Sequence, residues 1–515
     1  MNSSRLNKYL LVFCSGLLAV LGFAPFGLLP LPLLALAFLF VRWQHAQGKW
    51  QAARLGFAFG FGLFSAGIGW LYVALHDYGD MPMLLAAPAI AVFAAMLALF
   101  PAAVGYAEAR LRSRLGGRAG VPLQVSLLLL MPALWVLLEW LRGLLFTGFP
   151  WLTLGYAQAA ASPLAGYAPL LGVYGVSLTV ALSAGLLALI WIVRWGRQGQ
   201  LALAALLLLW LGGAALRGVE WTQPEGGLLK VSLLQGNISQ DIKFEEGQLI
   251  GTMETYRRLA QGSDARLIVM PETALPLLRH ELPLSYAELL RNHVRRNGGD
   301  ILIGAFEREH GLYYNSVFSL GSADSQSYRK SHLVPFGEFI PLRPLLGWLI
   351  NDVLRIPMSD QARGDQRQQV LQVAGQRVAV DICYEDVFGE EIIRYLPEAT
   401  LLVNVSNDAW YGESHAAMQH NQIAQMRALE SGRMMLRATN TGVTSVIGRD
   451  GRIQHMLPQH EEGVLTAEVQ GYVGSTPYVR WGNAAVLLLL ILMLIAAWQF
   501  KQLPSHLQGG EGSSK

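Results

Sequence analysis

The chain has only two cysteines in 515 residues, Cys14 and Cys383. One falls in an apolar run near the start and the other in a distant polar region. A bridge between them would tie a membrane helix to a separate unit, so both read as free thiols and a disulfide framework is excluded. Charge is also scarce: Asp, Glu, Lys and Arg make up 15% of residues, against about a quarter in a soluble domain. With 53% hydrophobic residues, that deficit points to a membrane. The net charge of +3 is too small to suggest nucleic acid as a partner. The histidines are scattered without zinc-type spacing, so no metal and no cofactor is expected. No internal repeat is visible, and the length argues for at least two units.

What the chain has in quantity is long apolar runs. Crossing a bilayer as a helix takes about 20 such residues. The runs are Leu10–Phe23, Leu28–Val41, Leu55–Leu75, Met83–Tyr106, Leu123–Leu141, Leu171–Val193 and Leu201–Leu216, with an eighth at Ala484–Trp498. Pro25 and Pro30 leave the ends of the first two open. Basic residues gather in alternate loops: Arg5 and Lys8; Arg42, Lys49 and Arg54; Arg110, Arg112, Arg114 and Arg118; Arg194 and Arg197. The loop Ala74–Pro82 has no Lys or Arg. If all eight runs span, the bias in Lys and Arg puts both termini in the cytoplasm and the polar region outside. The expected division is a membrane domain over 1–219 and a polar domain over 220–474. A last helix over 475–503 and a disordered Gly- and Ser-rich tail over 504–515 complete it. The first run resembles a signal peptide, but no small-residue cleavage site follows, so it reads as an uncleaved anchor.

In the polar domain, β-branched runs bounded by Gly, Pro and Asn predict strands at Lys230–Gln235, Arg266–Met270, Ile301–Phe306, Ser316–Leu320, Val378–Ile382, Leu401–Val405, Thr444–Ile447 and Val464–Val469. Helices are expected at Gln248–Gln261, Ser285–Asn297 and Met418–Arg433. The alternation reads as α/β on one sheet system. Three of the strands deliver chemistry at their ends: Glu272 after the second, Lys330 after Ser325–Arg329, and Cys383 after Val378–Ile382. A thiol is a strong nucleophile only as thiolate, which needs a base or a positive charge beside it. Glu272 can take the proton, and the Lys330 ammonium can stabilise both thiolate and oxyanion. Singly, each has a plainer reading: a buried small hydrophobe, a loop carboxylate and a surface charge.

The words around these residues carry a resemblance. Met270-Pro271-Glu272-Thr273, then Lys330 through Glu338 (KSHLVPFGE), then Cys383-Tyr384-Glu385 resemble the three signatures of the nitrilase, or carbon–nitrogen hydrolase, superfamily. Such a domain between the last two of eight spans is similar to the bacterial apolipoprotein N-acyltransferase family. Leu234-Gln235-Gly236-Asn237 and the stretch 403–412 fit it too. The resemblance implies an α-β-β-α sandwich on a polytopic helical membrane domain, in a bacterial inner membrane with the catalytic domain in the periplasm. It implies a ping-pong reaction. Cys383 takes the sn-1 acyl chain of a phospholipid, typically phosphatidylethanolamine, as a thioester. The chain then passes to the α-amino group of the diacylglyceryl-cysteine of an apolipoprotein. Glu272 would be general base and acid, Lys330 the electrostatic stabiliser, and Glu338, Tyr384 and Glu385 supporting residues. Where some members carry a Trp, this chain has Phe244, a candidate substrate contact.

Other features admit two readings each. Glu139, in the fifth run, and Arg142, three residues on, are either an intramembrane functional pair or an ordinary i, i+3 pair. Phe149-Pro150-Trp151-Leu152 either lines a lipid entrance, making Trp151 a second candidate contact, or belongs to an aromatic belt. Leu345–Ile350 is either a lid dipping toward the membrane or core. The rival functions are a membrane-anchored amidase using water as acceptor, and a transporter or scaffold with an inert domain. The absence of inverted repeats speaks against transport.

Overall fold

The computed structural model describes residues 3–116, 121–241, 243, 246–340 and 360–500. Within them a helix occupies each of the eight apolar runs. The first seven are α1 (Ser3–Ala19), α2 (Pro30–Gln44), α3 (Lys49–Gly67), α4 (Met83–Leu115), α5 (Leu123–Arg142), α6 (Ala168–Val193) and α7 (Arg197–Leu216). The eighth is Ala484–Gln499. Four segments are long and apolar enough to cross a membrane by length and composition: Met83–Leu115, Leu123–Arg142, Pro163–Val193 and Arg197–Leu216. Asn7–Gly22, Pro30–Gln44 and Ala484–Gln499 are apolar but shorter. The third run breaks after Gly67 rather than continuing to Leu75, and a π-turn at Val73–Asp77 follows. By contrast, α4 runs past Tyr106. Glu108 and Arg112 pair across one turn at 3.0 Å, and Ser126 Oγ donates to Glu108.

Lipid tails are as apolar as leucine, so helices in a membrane hold together by close packing rather than hydrophobic contrast. Here glycine supplies it. A Cβ added at Gly62 would stand 2.2 Å from the Phe13 carbonyl oxygen, and one at Gly16 2.1 Å from that of Phe59. The backbones of α1 and α3 therefore touch directly.

The polar region forms two six-stranded sheets rather than one sheet system. The first has the order β12-β1-β2-β3-β4-β5. Its members are β1 (Thr222–Gln235), β2 (Leu267–Val269), β3 (Asp300–Glu309), β4 (Leu312–Gly321), β5 (Ser327–Arg329) and β12 (Gly463–Gly474). The second has the order β11-β10-β9-β8-β7-β6. It comprises β6 (Leu371–Val373), β7 (Gln376–Ile382), β8 (Leu401–Ser406), β9 (Met435–Thr439), β10 (Ser445–Ile447) and β11 (Ile453–Met456). Each sheet has a parallel centre, β1-β2-β3 in one and β7-β8-β9 in the other, with antiparallel flanks.

Strand periodicity explains why two sheets form. Side chains alternate between faces, and both faces of the central strands are apolar. Leu267 and Val269 pack inward against Val380, Ile382, Val403 and Val405 of the second sheet. Ile268 and Met270 turn outward under α8 (Leu249–Gln261) and α9 (Leu284–Arg296). On the far side α10 (Ala416–Ser431) covers the second sheet with Ala424 and Ala428. Its other face, Ile423, Met426 and Leu429, belongs to the membrane-helix core. The result is the α-β-β-α layering the resemblance implied, with α10 shared between sheet and membrane helices.

Candidate active site

The three strand-end residues converge from both sheets. Glu272 follows β2, is 6% exposed, and keeps both carboxylate oxygens occupied. Its Oε1 accepts from Asn315 Nδ2 at 2.7 Å and Lys330 Nζ at 3.4 Å, and its Oε2 from the Asn407 backbone N–H at 2.8 Å. Lys330, directly after β5, also donates to Glu338 Oε1 at 2.7 Å. Glu338 is anchored by the Val334 N–H on its other oxygen, within the turn of the KSHLVPFGE word. Burial works against the Lys330 charge. Glu338, Glu272 and the Cys383 sulphur outweigh it and hold the ammonium well above the ordinary lysine range.

Cys383 comes from the opposite sheet, at the end of β7, with φ +54°. That left-handed conformation is uncommon outside glycine and costs about 1–3 kcal/mol. Burial pushes the thiol up well beyond its ordinary range. Glu272 adds to that rise and Lys330 opposes it. Burial therefore favours the neutral thiol, and a thiolate there would need a base or a positive charge beside it. A carboxylate and an ammonium, Glu272 and Lys330, thus act in opposite senses on the Cys383 thiol.

Tyr384 and Glu385 are placed differently from each other. Glu385 is buried under the turn carrying Cys383 and joins the two sheets. Its Oε1 accepts from Ser331 N (2.6 Å), Ser331 Oγ (2.9 Å) and His332 N (3.0 Å), and its Oε2 from Ile382 N (2.7 Å). Tyr328 OH donates to the same carboxylate. The carboxylate therefore locks the turn carrying Lys330 to the turn carrying Cys383. Tyr384 instead reaches into the membrane domain, where its hydroxyl donates to the Gly148 carbonyl at 3.0 Å.

The loop receiving Tyr384 explains Glu139 and Arg142. Arg142 donates to the carbonyls of Phe149 and Trp151 and to Thr153 Oγ1, and Glu139 accepts from Leu154 N. Both residues grip the loop after α5. Trp151 is 2% exposed, donates to Gln419 Oε1 at 2.7 Å, and packs on Trp70 and His420. Phe244 and the segment Leu345–Ile350 lie outside the described residues, as does the tail after Pro504.

Sequence reasoning missed Asn315 and Asn407, which orient Glu272, and Lys243, whose Nζ donates to the Glu272 carbonyl at 3.3 Å. It also missed a buried group behind Cys383 made of Asp386, Asp408, His420 and Arg437. Asp408 lies inside the stretch 403–412, and Asp386 directly follows Cys383-Tyr384-Glu385. Nothing flanking His420 distinguishes it in a chain whose histidines lack zinc-type spacing.

The two-sheet α/β region is of the carbon–nitrogen hydrolase class: the Carbon-nitrogen hydrolase family model matches residues 230–478. The model for the Apolipoprotein N-acyltransferase N-terminal domain matches residues 15–186. An apolipoprotein N-acyltransferase from Nitrosomonas europaea is 52% identical over 494 residues, covering 95% of this chain and 96% of that protein. One from Methylococcus capsulatus is 44% identical over 483 residues, covering 93% of each. A solved carbon–nitrogen hydrolase superfamily protein from Xanthomonas campestris matches at a TM-score of 0.36 and 18% identity. That match covers 56% of this chain and 100% of that one. The chain belongs to the apolipoprotein N-acyltransferase family.

Proposed function

We propose that this protein moves the sn-1 acyl chain of a phospholipid, through a thioester on Cys383, to the N-terminal α-amino group of diacylglyceryl-cysteine in apolipoproteins. The observation that carries this is the contact between nucleophile turn and membrane loop. Tyr384, the neighbour of the thiol, is bonded to Gly148 after α5, so the reacting sulphur is built against the apolar helices. An acyl donor and an acyl-bearing acceptor can both reach such a site laterally from a bilayer. Family membership supports the same acceptor.

In the first step Glu272 accepts the Cys383 proton as sulphur attacks the sn-1 ester carbonyl. Lys330 faces the oxyanion that forms. The carbon–oxygen ester bond breaks, Glu272 returns the proton to the glycerol oxygen, and a lysophospholipid departs. In the second step the neutral α-amine attacks the thioester, Glu272 takes its proton, and the carbon–sulphur bond breaks. The thiolate leaves as an amide forms, and Glu272 returns the proton to sulphur, restoring the thiol and the carboxylate. Holding the acyl group covalently permits one product to be exchanged for the second substrate. Phosphatidylethanolamine is the expected donor.

We place all eight helices across an inner membrane, with both termini cytoplasmic and residues 220–474 periplasmic, between a membrane domain over 1–219 and a last helix over 475–503. Lys and Arg in alternate loops support that orientation. The test is incubation with radiolabelled phosphatidylethanolamine and a diacylated lipopeptide. Label should reach the peptide amine, and should rest on Cys383 when acceptor is withheld. Label appearing only as free fatty acid would make the protein a hydrolase.

A further inference from the structure

Behind the nucleophile lies a charged group for which the reaction above has no use. His420, on α10, is 1% exposed, and both ring nitrogens face carboxylates. Its Nδ1 stands 3.0 Å from Asp408 Oδ1 and its Nε2 2.9 Å from Asp386 Oδ1. Arg437, on β9, bonds the remaining oxygens of the same two acids, Asp386 Oδ2 at 3.1 Å and Asp408 Oδ2 at 3.0 Å. Two anions and two cations thus close a buried ring. A neutral imidazole would turn a lone pair on one of the carboxylates. A charged one satisfies both, and burial of four charges is tolerable only when all are paired.

The same Nε2 lies 3.2 Å from the main-chain carbonyl oxygen of Cys383, which also accepts from Asn404 Nδ2 at 3.2 Å. That carbonyl belongs to the residue in left-handed backbone. Such a conformation persists only where its surroundings over-determine it. Here the surroundings are an imidazolium and an amide that fix the peptide from beneath.

We infer that His420 is a positioning residue for the nucleophile. As an imidazolium braced between Asp386 and Asp408, it holds the Cys383 carbonyl and keeps the sulphur presented to Glu272 and Lys330. The proposal rests on Cys383 being the acyl carrier. The groups facing the ring are Asp386 from the nucleophile turn, Asp408 from the turn after β8, Arg437 from β9, and the Trp151 ring from the membrane loop, 5.6 Å between centroids. Burial and Arg437 oppose its charge, the two aspartates favour it, and the balance raises it to about 9.

The test uses full-length protein in detergent with Cys14→Ser, so that Cys383 is the sole thiol. Single-turnover thioester formation from phosphatidylethanolamine, and the pH dependence of iodoacetamide alkylation, are compared for parent, His420→Ala and His420→Gln. His420→Ala should slow thioester formation about 100-fold, with KM for the donor little changed. Its alkylation curve should move up by about one pH unit. Glutamine, which keeps one donor toward the Cys383 carbonyl, should recover part of the rate but not the curve. A histidine that only filled space would leave the thiol's titration where it was. Coincident alkylation curves in folded protein, or a loss confined to KM, would overturn the proposal. If the alanine variant does not fold, the glutamine variant decides it by the same curve. Cys383→Ala separates the two readings. Transfer surviving it would remove the nucleophile assignment, whereas transfer lost in it with unmoved curves in the His420 variants would remove only this proposal.

Discussion

Lys330 sits between two carboxylates with almost no solvent, and that placement sets what its removal does. Breaking a buried ion pair by deleting one partner costs about 3–5 kcal/mol, because the other charge is left uncompensated. Here two would be left, Glu272 and Glu338, so Lys330→Met is expected at the upper end of that range. It should also abolish the thioester. A thermal melt in detergent and an intact-mass measurement after incubation with phospholipid check both parts. Glu385 works through hydrogen bonds instead. An amide in its place would turn N–H groups toward Ser331, His332 or Ile382 donors, and an unsatisfied buried group costs about 1–3 kcal/mol. Glu385→Gln should therefore lower both stability and rate, while Glu385→Asp, too short to span the sheets, should do no better. Comparable activity of either variant with the parent would mean the turns are held by something else. Glu272, Lys330 and Cys383 were legible in sequence as candidates because each follows a strand and sits in a recognisable word. Asn315 and His420 were not, because an amide or imidazole used inside a core has no flanking pattern, and Asn407, though within the stretch 403–412, acts through its backbone N–H, which no side-chain pattern marks. Their partners come from strands and turns remote in the chain.

At the level of elements, the readable parts were those whose burial shows as periodicity. The central strands β1 to β4, β7 and β8 are apolar on both faces and stand out as runs. The strand β9 escaped notice because Arg437 interrupts its run. That arginine is buried and paired with Asp386 and Asp408, so its charge belongs to the core. β6 is three residues long and β11 is exposed throughout, so neither offers a pattern. That two sheets form rather than one follows from β1 to β3 and β7 to β9 having no common hydrogen-bonded edge, which composition does not record. The loop after α5 is the element joining the two halves. It is gripped by Arg142 and in turn receives Tyr384 and braces Gln419. Arg142→Ala should leave helix content by circular dichroism unchanged and lower acyl transfer by about tenfold or more, since small misplacements at a reacting centre are costly. An unaffected rate would show that the loop keeps its place without that grip.

For the whole molecule, buried charges in the catalytic domain give stability a shape against pH. His420 has its charge favoured in the folded state, about 9 against an ordinary 6.5. Between those values the folded chain binds the proton that the unfolded chain has lost. The stabilisation is complete below about 6.5 and disappears as pH climbs through about 9. Lys243 acts in the opposite sense. Burial lowers it to about 8 from an ordinary 10.5, with Glu272 opposing. From about 8 to 10.5 the unfolded chain holds the extra proton, so the penalty of burying that ammonium is relieved and stability rises. The two windows overlap only between about 8 and 9. Melting temperature in detergent should therefore fall from pH 6.5 toward 8, then level off as Lys243 deprotonates. His420→Gln should remove the fall and leave a rise above pH 8, while Lys243→Met should leave the fall and remove the levelling. Because the two variants change opposite limbs of one curve, a general loss of packing cannot imitate the pair. A parent curve flat from 6.5 to 8 would mean that the imidazolium is not part of the folded state, and with it the bracing of the Cys383 carbonyl by charge would fall.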